Sequence, residues 1–247
     1  EVDPLVLDLN GDGVGLIHRR DALVSFDIDH DGYKESTGWV SPEDGLLVHD
    51  LNNDGIINNS RELLSEYYGG FQGNADTSGT TPFENGFDAL ASLDSNNDQV
   101  FDINDNAFNT LKVWIDTNSD GVSTVDELHA LSSLNITSID LTSTSQSGDL
   151  LNGNEVLARG NFTIDNSGVE EIREVLAVNF LTNENGFTFT DVTGGAIGTN
   201  ETGLTIYASA IDTGEVIDVA AKGVQSAIGF IGDDTLIGDE NGNFLNG

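Results

Sequence analysis

The sequence is 247 residues long and strongly acidic, because 43 Asp and Glu residues against 8 Lys and Arg give a formal net charge of −35. So large an excess of negative charge argues against a nucleic-acid partner, since binding to phosphate needs a basic face. The chain has no cysteine, which excludes disulfide bonds and thiol chemistry, and no apolar run is long enough to span a membrane.

The first chemically distinctive feature is the pair Asp3–Pro4. Proline makes the preceding amide tertiary and weakens its preference for the trans form. The Asp side chain can also fold back onto its own carbonyl carbon and close a five-membered ring. Most Asp-Pro pairs are ordinary turn or strand-entry elements, so the residues that follow determine how this pair is interpreted.

Three short apolar segments come next, and each runs into an Asp- and Asn-rich turn of the kind that starts a calcium loop. The segments 5–7, 24–26 and 46–48 are predicted strands. Position 12 of the first two loops is Arg19 or Gly38, so both lack the usual acidic closure, whereas the third loop has an acid one place late. The expected metal ligands are Asp8, Asn10 and Asp12, then Asp27, Asp29 and Asp31, then Asp50, Asn52, Asp54, Asn58 and Glu62.

Helical spacing of apolar residues predicts four short helices, at residues 61–68, 84–93, 106–114 and 125–134. Two more calcium loops lie between the last three of these helices. The order helix-loop-helix-loop-helix over residues 84–134 predicts a paired EF-hand unit.

The fourth loop starts at Asp94 and has Gln99 where glycine is usual. The fifth loop, DTNSDGVSTVDE, matches D-x-[DN]-x-[DN]-G-x5-E at every defined position. Its alternating oxygen donors suit a hard cation with six to eight ligands. The expected ligands of these two loops are Asp94, Asn96, Asp98, Asp102 and Asp105, then Asp116, Asn118, Asp120, Val122, Thr124 and Glu127.

The remainder of the chain favours β structure. Residues 136–141 alternate between apolar and polar and are a predicted strand, and residues 156–165 and 169–180 flank the turn sequence Asn-Ser-Gly as a predicted hairpin. The spacing in 169–180 also fits a helix. Residues 229–237 follow the nonapeptide of calcium-binding parallel β-rolls except at Phe230, with Asp234 as the candidate ligand.

We therefore predict an α+β fold, with short strands and calcium loops around the EF-hand-like pair, then a β-hairpin and the start of a parallel β-roll. The expected domains are a calcium-binding module at 1–180, with the EF-hand-like pair at 84–134, a β-rich connecting region at 181–228, and partial repeats at 229–247.

Several segments together resemble the self-processing module of RTX proteins exported by Gram-negative bacteria. The resemblance covers roughly residues 1–180 and lies in the start Asp3–Pro4–Leu5, in DLNGDG, DIDHDG, GWV and DGLLVHDLNNDGIINN, and in LDSNNDQVFDINDNAF with LKVWIDTNSDGVSTVDEL. It implies several bound calcium ions, calcium-dependent autocatalytic cleavage of the Asp3–Pro4 bond, and a secreted or cell-surface protein. It also implies transfer of the freed aspartyl carboxyl to a lysine amine on another protein, as an isopeptide cross-link.

The expected nucleophile is the Asp3 carboxylate, which attacks its own carbonyl carbon and expels the Pro4 nitrogen, leaving a cyclic anhydride. Cation binding by the first loop would fix the strand that follows Pro4. The general acid for the leaving nitrogen is not identified by the sequence. His18, His30 and His49 have suitable chemistry, but such residues are more often ordinary surface histidines.

Other functions stay open at this point. A non-catalytic, calcium-stiffened structural module of a secreted RTX adhesin or toxin fits the loops equally well. A calcium sensor would need an apolar groove, and this chain has no methionine. A conventional hydrolase has no support, because G-x-S-x-G, H-E-x-x-H and cysteine are all missing.

Overall fold

The structure is a computed structural model, which describes residues 2–22, 24–28, 34–69, 83–182, 188–193, 195–199, 205–209, 215–229, 234–241, 243 and 245–246. The chain divides into two compact units. The first comprises residues 1–31 and 36–182, and the second comprises residues 32–35 and 183–247.

Short strands dominate the chain as far as residue 179. In chain order they are β1 Leu5–Leu7, β2 Leu16–Ile17, β3 Ser25–Phe26, β4 Glu35–Ser36, β5 Trp39–Val40, β6 Gly45–Val48, β7 Val100–Asp102, β8 Lys112–Trp114, β9 Leu128–Ala130, β10 Ile136–Asp140, β11 Thr144–Leu151, β12 Asn154–Asp165 and β13 Glu170–Asn179.

β1 lies in the middle of the main sheet of the first unit. Among the described residues, nine strands form this antiparallel sheet in the order β7-β10-β12-β13-β1-β6-β8-β9, with β11 paired to β12. Leu5 pairs with Ala177 of β13, and Val6 pairs with Leu46 of β6. The strand that follows Asp3–Pro4 is therefore hydrogen-bonded on both sides.

Both faces of the sheet are covered by apolar side chains. Leu5 and Leu7 of β1 pack in one buried cluster, whereas Val6 between them packs in another. Val113 and Trp114 of β8 divide between the same two clusters. Strands buried on both faces read as continuous apolar runs, which periodicity alone does not separate from buried helix.

The prediction of an α+β fold built on an EF-hand-like pair is wrong. The described residues are mostly β, with two short α-helices, α1 Gly86–Ala91 and α2 Val219–Lys222, and 3₁₀ turns at Ser60–Glu62 and Leu131–Leu134. Within these residues no helix-loop-helix pair flanks either loop between positions 94 and 127.

Three of the four predicted helices do not form as such. Residues 106–114 are turns followed by β8, residues 125–134 contain β9 and a 3₁₀ turn, and residues 61–68 keep only part of a 3₁₀ turn. Pairing of β8 with β6 and β9 provides hydrogen-bond partners for the backbone N–H and C=O groups of β8. Alternate side chains of β8 then pack in the two apolar clusters. The helix predicted at 84–93 is confirmed over the shorter span of α1, capped by the Asn85 side chain, which accepts the N–H groups of Phe87 and Asp88.

The hairpin predicted after residue 156 is confirmed. β12 and β13 pair antiparallel through ten residue pairs, from Glu155↔Asn179 to Asp165↔Glu170, so the helical alternative for 169–180 is wrong. Ser167 and Gly168 in the turn have φ values of 59° and 89°, a left-handed geometry that suits the short connection.

The second unit is also rich in β structure. Its strands are β14 Thr188–Val192, β15 Gly195–Thr199, β16 Thr205–Ser209, β17 Val216–Asp218, β18 Ser226–Ile228, β19 Thr235–Ile237 and β20 Leu245–Asn246. β14, β15 and β16 pair antiparallel, whereas β16–β18, β18–β20 and β17–β19 are parallel. No helix in the described part of the chain is long and apolar enough to cross a membrane.

Candidate functional site: a buried Asp-Pro bond and its calcium loops

The Asp3–Pro4 bond is buried at the entrance to β1. Asp3 is only 2% exposed, and its neighbours on both sides are buried as well. The backbone around the bond is held from two directions. Val178 donates its N–H to the Pro4 carbonyl oxygen at 3.1 Å, and Leu5 donates to the carbonyl oxygen of Leu64 at 3.0 Å.

Asp3 forms a reciprocal pair with Glu66. The amide N–H of Asp3 donates to Glu66 Oε2 at 2.8 Å, and the amide N–H of Glu66 donates to Asp3 Oδ1 at 3.0 Å. Two carboxyl groups are thereby brought together in a largely dry site, where both do not ionise together at low cost.

Burial raises the pKa of the Asp3 carboxyl to about 10, with further contributions from a hydrogen bond to the Glu66 side chain and from its charge. The Asp3 carboxyl therefore holds a proton at neutral pH. Sequence reasoning missed Glu66, because it lies 63 residues from Asp3 and belongs to no motif.

Gly86, the first residue of α1, packs against this junction. A Cβ atom at position 86 would lie 3.0 Å from the Asp3 carbonyl oxygen and 2.5 Å from the Leu64 carbonyl oxygen. Any side chain there would displace the Leu64 carbonyl group, which accepts the N–H of Leu5, and would crowd the Asp3 carbonyl oxygen.

The fifth loop, residues 116–127, has the most buried first ligand. Asp116 is fully buried, and its Oδ2 accepts the N–H of Gly121 at 2.9 Å and the indole N–H of Trp39 at 2.7 Å. Burial raises the pKa of Asp116, and these donors oppose that effect. Glu127 Oε2 accepts the backbone N–H of Thr124 at 3.0 Å.

In the third loop, the late acid Glu62 contacts the backbone of the loop at two positions. Glu62 accepts the N–H of Leu51 at 3.2 Å through one oxygen and that of Asn58 at 3.1 Å through the other. Its carboxylate therefore spans the second and ninth positions of the loop.

The fourth loop is closed in the same way. Asp105 accepts the N–H of Ser95 at 2.7 Å and that of Asp102 at 2.9 Å. Gln99 adopts a φ of 69° and donates its N–H to Asp94 Oδ2 at 2.9 Å, so it takes the left-handed conformation that glycine adopts in the third and fifth loops.

The first loop receives its missing acid from elsewhere in the chain. Asp44, 1% exposed, accepts the N–H of Leu9 at 2.9 Å and the N–H of Gly15 at 2.6 Å. The contact with Leu9, at the second position, matches that of the closing acids in the third and fourth loops, whereas Gly15 is at the eighth position and not the ninth. Burial raises the pKa of Asp44, and the nearby charge of Asp8 adds to the shift. No sequence motif identified Asp44, because it lies 35 residues from Leu9 and 29 residues from Gly15.

The other expected ligands are less informative. Asp29 and Asp31 lie outside the described residues, and Asp27 is buried. Asp234 Oδ1 accepts the N–H of Glu215 at 2.7 Å. The exposed members are Asn10, Asp12, Asn52, Asp54, Asn58, Asn96, Asp98, Asn118, Asp120, Val122 and Thr124.

The chemistry of the donors fits calcium, because the loops present only carboxylate, amide, hydroxyl and carbonyl oxygens. Glycines with positive φ sit at the sixth position of the third and fifth loops, Gly55 at 87° and Gly121 at 68°. In the part of the chain that the structure describes, no three His, Cys, Asp or Glu side chains are already clustered as a metal site.

Comparison with known proteins places these features in a family. The family model described as the SPM domain matches residues 5–178. This chain belongs to the SPM domain family. It is also 42% identical over 162 residues to the iron-regulated protein FrpA of Neisseria meningitidis serogroup C. That match covers 65% of this chain and 14% of the relative, so the chain spans a small part of the relative's length.

Apart from residues 32–35, the SPM match lies within the first compact unit. It contains β1 to β12, most of β13, Asp44, Glu66 and all five loops. Asp3 and Pro4 directly precede it. Within the SPM domain, two of the histidines considered as general acids are engaged elsewhere. His49 Nδ1 lies 2.6 Å from the Tyr68 hydroxyl, and burial lowers its pKa. His18 Nδ1 accepts the N–H of Arg20, and His30 is outside the described residues.

Proposed function

We propose that this SPM domain cleaves its own Asp3–Pro4 bond when calcium binds its loops. The observation that carries the proposal is the buried Asp3 carboxyl, held against Glu66 at the entrance to the central strand. An Asp-Pro pair in an ordinary exposed turn would need neither burial nor a second carboxyl. The resemblance to the self-processing modules of RTX proteins supports the same activity.

The chemistry needs only groups on either side of the bond. An oxygen of the Asp3 carboxyl attacks the Asp3 carbonyl carbon, the bond to the Pro4 nitrogen breaks, and that nitrogen takes up a proton to become a new amino terminus. The other product is a five-membered cyclic anhydride, which water opens to a C-terminal aspartate. Attack within one residue has a high effective concentration, because no translational freedom is lost.

The structure suggests how the loops act on the bond. The first loop follows β1 directly, and Asp44, which closes that loop, directly precedes β6, the partner of β1. We assign Asp8, Asn10, Asp12 and Asp44 as the residues that hold calcium here. When bound, calcium neutralises the clustered carboxylates of a chain with a net charge of −35, which removes the repulsion that opposes folding. The ordered loop then fixes both β1 and the bond before it.

A lysine amine in place of water would open the anhydride to an isopeptide, so we include a lysine on another protein as an acceptor. Of the chain's own amines, Lys222 Nζ lies 3.2 Å from Glu215 Oε1 and 3.8 Å from the centre of the Tyr207 ring. The proposal also places the protein outside the cell, where calcium in the millimolar range would saturate sites of the strength usual in extracellular modules.

The test is to incubate the purified, uncleaved chain with calcium or with a chelator and to record intact masses over time. We expect calcium to produce a chain that starts at Pro4, together with the tripeptide Glu1–Asp3, and chelator to produce neither. Magnesium at equal concentration serves as the ionic control. A chain that folds in calcium but keeps its mass would contradict the proposal and favour the calcium-stiffened structural module.

A further inference from the structure

We propose that Glu66 carries the proton that Asp3 loses in the attack to the leaving nitrogen of Pro4. This inference rests on the proposed self-cleavage and names the general acid-base residue that the sequence did not reveal. Glu66 touches the reacting residue directly, which is the contact expected of a catalytic group.

The contacts place Glu66 between the proton's origin and its destination. Glu66 Oε2 lies 2.8 Å from the Asp3 amide nitrogen, and the Glu66 carboxyl is hydrogen-bonded to the Asp3 carboxyl. Only three covalent bonds join the Asp3 nitrogen to the Pro4 nitrogen, so the two nitrogens lie within about 4 Å of each other. A carboxyl held on the first nitrogen is therefore within a small rotation of the second.

The backbone of Glu66 fixes this position. Its N–H donates to Asp3 Oδ1 at 3.0 Å, and its carbonyl oxygen accepts the N–H of Phe83 at 3.0 Å. The orientation of the Asp3 carboxyl and the location of Glu66 thus depend on each other, and a shift of either residue would separate the pair.

The proton balance needs no outside donor. The step starts with one proton on the Asp3 carboxyl, and the Glu66 carboxylate is its proposed acceptor. As the new C–O bond forms, the proton passes from Asp3 to Glu66; as the C–N bond breaks, it passes from Glu66 to the Pro4 nitrogen. Glu66 ends the step as the carboxylate with which it began, and two carboxyl groups that share one proton are a known arrangement for such transfers.

The acids that close the first and third loops make other contacts. Among the described residues, Glu66 is the titratable group that interacts with the Asp3 carboxyl. Asp44 accepts backbone N–H groups of the first loop, and Glu62 accepts backbone N–H groups of the third loop.

The experiment uses the full chain and compares Glu66→Gln with the wild type. Gln keeps an oxygen that accepts the Asp3 N–H but does not relay a proton, so cleavage should slow by about 100- to 10,000-fold, while calcium-induced folding is unchanged. Glu84→Gln is the matched control, because Glu84 is exposed and makes the same change of charge; it should cleave at the wild-type rate.

The pH profile separates proton transfer from a structural role. The wild-type rate should fall at high pH as the pair loses its shared proton, and this falling limb should disappear in Glu66→Gln. Glu66→Asp, with a shorter reach, should cleave at an intermediate rate and keep the limb; it decides the question if Glu66→Gln fails to fold. A Glu66→Gln chain that cleaves within about threefold of the wild type, or a Glu66→Asp chain that has lost the limb, would overturn the inference. No cleavage in the wild type would instead overturn the proposed function itself.

Discussion

Two buried aspartates show how this protein treats a carboxyl group in opposite ways. Asp3 is 2% exposed and Asp116 is fully buried, so both lose most of their hydration. Asp3 faces a second carboxyl, that of Glu66, whereas Asp116 faces the N–H donors of Trp39, Asp120 and Gly121.

The difference separates a proton site from a cation site. Donors stabilise a carboxylate in its ionised form, whereas a neighbouring carboxylate favours the protonated form. Under the proposed function, the donors around Asp116 would favour the charged oxygen that calcium needs, against the effect of burial, and Asp3 would keep a proton until the bond breaks. Burial alone does not assign either role, since it acts on both residues in the same direction.

The sharpest way to break this comparison is Asp3→Asn, which should abolish cleavage completely. Asn keeps the size and polarity of Asp but is a poor nucleophile, and Asp3 lies outside the loops. Calcium-induced folding, followed by circular dichroism, should therefore be intact. Intact mass measurement after calcium treatment is the assay, and a product that starts at Pro4 would show that another nucleophile acts, such as a water molecule.

Glu127→Gln tests the proposed cation site of the fifth loop, to which Asp116 belongs. Loss of the closing charge of the fifth loop should raise the calcium concentration needed for folding and cleavage by about 10- to 100-fold, because charge-assisted contacts of this kind are worth a few kcal/mol. Folding can be followed by tryptophan fluorescence, since Trp39 and Trp114 are both buried.

Asp126→Asn is the matched control for that variant, because Asp126 is the exposed neighbour of Glu127. Its calcium midpoint should stay within about twofold of the wild type. Equal midpoints for Glu127→Gln and Asp126→Asn would remove the fifth loop from the proposal.

Asp44→Asn tests whether a residue distant in sequence closes the first loop. Asn can still accept one N–H group, so the expected effect is smaller, about a tenfold rise in the calcium midpoint for cleavage. Asp21→Asn, at an exposed position, should leave the midpoint unchanged. If both variants behave alike, the contacts of Asp44 with Leu9 and Gly15 serve the turn and not a cation.

The last test of the comparison is the pH dependence of folding. The pKa of Asp3 is about 10 in the folded chain against 3.8 as its ordinary value. Its contribution to folding stability is therefore fully present below about pH 4 and is lost progressively as the pH rises from there to about 10. Raising the pH should therefore weaken folding of the wild type relative to Asp3→Asn, by up to about tenfold in the ratio of folding constants per pH unit.

That ratio is measured at fixed calcium by stopped-flow tryptophan fluorescence, within a time too short for cleavage. Because both chains carry the same loops, effects of pH on calcium binding cancel. A ratio that stays constant between pH 5 and 9 would mean that Asp3 is ionised in the folded chain, contrary to the pairing with Glu66.

Local features were predictable wherever neighbouring residues carry the whole signal. The hairpin turn at 166–168 and the apolar strand at Leu5–Leu7 depend on spacings of a few residues. Tertiary context decided the helices predicted at 106–114 and 125–134. Their short apolar runs fit both the helical and the strand period. Residues 112–114 and 128–130 become strands because β8 pairs with β6 and β9 in the main sheet.

The sequence by itself determined that this protein has Asp- and Asn-rich loops and an Asp-Pro bond, because each is encoded in adjacent residues. Only the tertiary structure decided which acids complete them. Asp44 reaches the first loop across 35 residues and Glu66 reaches Asp3 across 63. Neither contact can be recognised from residue spacing or composition, because each joins segments that are distant in sequence and meet next to β1.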